Sequence, residues 1–172
     1  MKSFVSLLVA VLAVCGCTSV APPAPSAPPS APAPSAPADL RAALTAALAT
    51  ERRWLQSWFR GTPVVIVQRN DDAVNVEVPR EFCFDAGRSN LKPPLAAVLD
   101  KVAESLRRVP LSRLSLLAAP ADATGSPALA LERAAQLHKH LLARGVPAAR
   151  LGKPTSTTAA AAQLRIETAP PP

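Results

Sequence analysis

Asp122 and Arg133 are the two residues whose types and spacing could act together: a carboxylate eleven positions ahead of a guanidinium, with a loop and a helix start between them. A guanidinium meets a carboxylate through two parallel N–H donors, and a carboxylate accepts from an ammonium. Such a pair could therefore hold both ends of an amino-acid head group. The same residues also have plainer uses, since Asp122 can close an Asx turn and Arg133 can be a solvated helix residue. Catalysis has much less to work with. Cys83 with His138 is the thiol and imidazole pairing on offer, and nothing in their spacing supplies an orienting third group. His138 and His140 are two apart and fall on different helix faces, so no zinc site is expected, and no cofactor is called for.

The pair needs elements to position it. Leu114, Leu116 and Leu117 read as a buried strand, and the Asp, Thr, Gly and Ser of residues 122–126 are turn formers. Ser126 suits a helix N-cap and Pro127 the first helical position, where its missing N–H costs nothing. Leu131, Ala134, His138 and Leu141 then recur at helical spacing, with Glu132, Arg133, Gln136, Lys139 and His140 expected on the other side. Gly145 closes the helix, with Pro147 beyond. The loop thus sits at the positive end of a helix, a natural place for an anion.

Upstream, residues 39–60 read as a helix with Leu40, Leu44 and Leu48 four apart, Asp39 as cap, and Gly61 and Pro63 as its end. Trp54, Trp58 and Phe59 among Arg52, Arg53 and Arg60 could dock on a membrane surface or partner. Packing on the following domain is the preferred reading. Val64 to Val67 and Ala73 to Val78 form a hairpin around a turn at Asn70 to Asp72. Phe82 to Asp85 gives a short strand, and Pro93 and Pro94 open a helix to Arg108 with Leu95, Val98, Leu99, Val102 and Leu106 on one stripe. Residues 146–162 read as loop, Gln163 to Glu167 as a last strand, and residues 169–172 as a disordered tail.

The N-terminal part differs in kind. Residues 1–16, with Lys2 ahead of an apolar core from Phe4 to Val14, have the pattern of a secretory signal. The apolar run is too short to span a membrane. Thr18 to Ala38 is built almost wholly of Ala, Pro and Ser without charge, an extended tether of about 60 Å if polyproline-like. The net charge is +7, and with Lys2 alone in the leader the remainder is +6. A basic surface suits any acidic polymer. Nucleic acid is not expected, because Lys/Arg runs stop at two, no known binding motif is present and aromatics are only 3%.

VEVPREFCFDAGRSNLKPPLAAVLDKVAESL, the strand–Asp–Gly-Ser–helix order with Arg-Ala, and QLRIE together resemble an OmpA-like peptidoglycan-associated domain, divergent and shortened, over roughly residues 62–168. The resemblance implies an α+β two-layer sandwich, a mixed β-sheet with two main helices on one face, preceded by the helix of residues 39–61. It also implies a non-enzymatic role, with Asp122 and Arg133 holding the ammonium and carboxylate of diaminopimelate in the peptidoglycan stem, and Arg165 as a third contributor. The loop between Asp122 and Arg133 is shorter than in the family, and Leu164 stands where the family has the first of two arginines. An alternative expectation is a protein-interaction module of the cell envelope without peptidoglycan binding. VCGC resembles the bacterial lipobox, implying lipidation at Cys17, and Thr18 after it favours the outer membrane, with the domain facing the periplasm.

Overall fold

The computed structural model describes residues 37–68 and 72–169. The expected signal segment 1–16, Cys17, the tether as far as Ala36, the turn residues Asn70 and Asp71, and the end of the tail lie outside the described residues. Among those described, no helix is long and apolar enough to cross a membrane.

The chain runs α1 (Pro37–Trp58), β1 (Val65–Gln68), β2 (Val74–Pro79), α2 (Pro93–Arg108), β3 (Ser112–Pro120), α3 (Pro127–Ala143), β4 (Pro154–Thr157) and β5 (Ala161–Thr168). The strands make one mixed sheet in the order β1-β2-β5-β3-β4, antiparallel throughout except for the parallel β3–β4 pair. Alternation explains the layering. Val74, Val76 and Val78 of β2, and Ala162, Leu164 and Ile166 of β5, are buried on the helix-bearing face, whereas Gln163 and Arg165 fall between them. Helix α2 begins and ends where its sequence predicts, with Leu95, Val98, Leu99, Val102 and Leu106 buried.

Helix α1 is part of this core. Leu48 and Leu55 are buried seven residues apart, and between them Glu51 pairs with Arg108 of α2 at 2.8 Å. Gln56 Nε2 donates to Ile66 O at 2.9 Å, hooking the helix to the edge strand. Trp54 and Trp58 meet edge to face at 6.1 Å; Arg108 covers Trp54 at 3.5 Å and Lys101 covers Trp58 at 3.7 Å. The aromatic cluster thus works as internal packing, though Trp58 stays 54% exposed. Leu55→Ala should cost about 2–5 kcal/mol and Trp58→Ala less than about 1 kcal/mol, measured by urea unfolding.

Three local expectations change. Residues 80–82 form a 3₁₀ turn, and only an isolated bridge joins Phe84 to Leu91, because the chain must turn from β2 into the loop before α2. Residues 154–157, expected as loop, are strand β4. Ala169, expected in a disordered tail, is held by its N–H donating to Leu111 O at 2.7 Å.

Candidate functional site

The end of β3 and the start of α3 form as their sequence predicts. Ser126 Oγ accepts from Leu129 N at 3.4 Å with Pro127 following, and Gly145 (φ 81°) closes α3 through Gly145 N to Leu142 O and Val146 N to Leu141 O. The buried face of α3 is rotated from the one expected: Ala134 and Leu141 face inward as the spacing predicts, but Ala130, Arg133 and Leu137 join them while Leu131 is exposed.

Arg133 is accordingly 0% exposed. Its Nε donates to Arg88 O (2.9 Å), NH1 to Pro120 O (3.0 Å), and NH2 to Asp85 O (3.0 Å) and Asp122 Oδ1 (2.8 Å). Phe84 lies beneath the guanidinium at 4.8 Å. Four of its five N–H donors are therefore occupied by the protein. Asp122 and Arg133 are brought together, but as a direct ion pair with no space for a ligand between them. The second Asp122 oxygen, Oδ2, accepts from Gly87 N at 2.7 Å. That N–H first, and the Arg133 guanidinium second, hold the Asp122 carboxyl below the usual carboxylate range. Gly87 has φ 67°, a left-handed conformation suited to glycine, which turns its N–H toward Asp122.

Asp122 still reaches a surface. A cleft of about 350 Å³ opens beside it, between the loop before α3 and the segment after β4, lined by Arg80, Asp122, Gly125, Ser156, Thr157 and Thr158 among others. Arg133 does not line it. Gly125 keeps this loop tight, because a side chain there would meet Asp122 N at 2.7 Å.

No family model and no curated protein matches the sequence. Solved structures do match. A MotB-like protein of Desulfovibrio vulgaris superposes over 77% of this chain and 98% of its own with a TM-score of 0.61 at 17% identity. The periplasmic domain of Helicobacter pylori MotB covers 63% of this chain and 82% of its own, with a TM-score of 0.53 at 15% identity. The fold is OmpA-like.

Within this fold, Arg165 is placed apart from Asp122 and Arg133. It pairs with Glu167 at 3.3 Å and lines a separate groove on the open face of the sheet with Asn75, Glu77 and Gln163. Alternation along β5 explains this, since Arg165 falls between the inward Leu164 and Ile166. Cys83 is buried, its Sγ donating to Val78 O and Pro79 O, and burial pushes the thiol up to about 11. It is an inert core group. Arg80 was not legible as a site residue, because it follows a strand and carries no motif; the cleft brings it beside Asp122 only through tertiary structure.

Proposed function

We propose that this chain is a non-catalytic cell-envelope lipoprotein, anchored in the outer membrane through Cys17, whose OmpA-like domain binds peptidoglycan in the periplasm through the diaminopimelate-containing stem. The observation that carries the reading is an ionised carboxylate, Asp122, presented at the mouth of a cleft by a loop that Arg133 and Gly87 hold in place. In this reading Asp122 takes the stem's ammonium, Arg133 fixes Asp122, and the charge-free tether gives the domain reach from the membrane.

The test is co-sedimentation with purified sacculi. The chain should pellet with them, and Asp122→Asn should release it; pelleting unaffected by that change would remove the site assignment. Binding should also be flat from about pH 5 to 8. Asp122 has a lowered pKa, so the stability it contributes is present above its unfolded value and is lost as pH falls through its folded value, below about pH 4. A histidine-dependent site would instead change across that range.

A second reading, an OmpA-like module that contacts envelope proteins without gripping peptidoglycan, is favoured by the burial of Arg133 and the use of four of its five N–H donors within the protein. It predicts no pelleting at any pH.

A further inference from the structure

Arg133 cannot offer a ligand a two-pronged donor face while it is buried and bonded to three carbonyls and Asp122. The cleft nevertheless has one acid and one base among its lining residues, Asp122 and Arg80; every other lining residue is Ala, Gly, Pro, Ser or Thr. We propose that Arg80 is the residue that receives a carboxylate in this cleft, with Asp122 receiving the ammonium and Arg133 serving as the positioning residue behind Asp122. The proposal rests on the reading of the cleft as a peptidoglycan-stem site, and it names the charged groups that read the head group.

Arg80 is suited to this by its mounting. It follows β2 directly, where its backbone N–H donates to Ala160 O at 3.0 Å, on one wall of the cleft. Its side chain crosses to the other wall, where NH1 donates to Ala121 O at 3.1 Å. That is its one side-chain hydrogen bond among the described residues, so most of its donor fork remains available, and the group is half-buried rather than fully solvated. A partly desolvated guanidinium held at one N–H is pre-oriented for a bidentate carboxylate, and little side-chain entropy is left to lose on binding. Asp122 keeps acceptor capacity as well. Arg133 and Gly87 each take one position on its two oxygens, leaving further lone pairs for an ammonium. The volume of about 350 Å³ accommodates an amino-acid head group with part of its peptide.

The experiment compares full-length chain in detergent on two kinds of sacculi, one with the free diaminopimelate carboxylate and one with that carboxylate amidated. Wild type should prefer the free-carboxylate form by about tenfold. Arg80→Met should lose that preference, binding both forms as wild type binds the amidated one, with its melting curve little changed. Arg80→Lys, which keeps the charge but not the fork, should restore part of the preference. If Arg80→Met still discriminates the two forms, or if wild type pellets equally with both, the Arg80 assignment falls while the peptidoglycan reading stands. If wild type pellets with neither, both fall together.

Discussion

Arg133→Ala is expected to lower the unfolding free energy of the domain by about 3–5 kcal/mol, the range for breaking a buried ion pair from one side. For a domain of this size that corresponds to roughly 10–20 °C in melting temperature. Arg133 collects Asp85 O and Arg88 O from the loop before α2, Pro120 O from the end of β3 and Asp122 Oδ1 from the loop after it. Its removal takes a buried donor from the Asp85, Arg88 and Pro120 carbonyls and a charge partner from Asp122, and leaves Phe84 facing a void. Urea unfolding should show the loss as a lower midpoint with an unchanged slope. Arg133→Met separates the causes, because it refills most of the volume and none of the hydrogen bonds. It should recover only a minor share, and near-complete recovery would mean that Arg133 matters as bulk rather than as a polar strut. The consequence for binding assays is direct. Lost pelleting in an Arg133 variant reports unfolding or a displaced Asp122, so the ligand contact is better tested at Asp122 and Arg80.

The same residue marks the limit of what its sequence reveals. Local signals were legible wherever the partners were local. Ser126-Pro127 and Gly145 bracket α3, Pro93 and Arg108 bound α2, and the valine alternation of β2 identifies its inward face. Arg133 sits one turn from Ala130 and Leu137 on the buried stripe, but a charged side chain at that spacing reads as solvent-facing. Its burial becomes possible only because carbonyls 13, 45 and 48 residues away converge on it. The FDAGRSN stretch gains its meaning the same way: Gly87 and the Asp85 and Arg88 carbonyls belong to the frame that aims Asp122. The Asp122–Arg133 proximity was legible as a pair, whereas the direct contact that closes the space between them was not.

Gly152→Ala should be the other severe change, costing about 1–3 kcal/mol and toward the upper end, because the obstacle is the backbone of two consecutive β3 residues rather than a flexible side chain. The register between β3 and β5 shifts between Leu114 and Leu116, so Ser115 is an extra residue in β3. That bulge pushes the Ser115 carbonyl toward Gly152, whose N–H bonds Leu114 O at 2.6 Å. A methyl group on Gly152 would lie inside contact distance of Ser115 O and 3.1 Å from Leu114 O. Gly61→Ala is the matching control: Gly61 has φ 77° with nothing within 4 Å of an added Cβ, so it carries only the left-handed penalty of about 1–2 kcal/mol. Strand β4 begins two residues after Gly152, and Ser156 and Thr157 at its end line the cleft opposite Asp122. Displacing the strand should therefore weaken sacculus binding even at temperatures where Gly152→Ala remains folded, while Gly61→Ala binds as wild type. Equal binding by the two variants would mean that the wall after β4 takes no part in the site. In sequence this wall reads as loop, because PTST carries no apolar alternation and is fixed by its parallel pairing to β3 and by one glycine against a bulge.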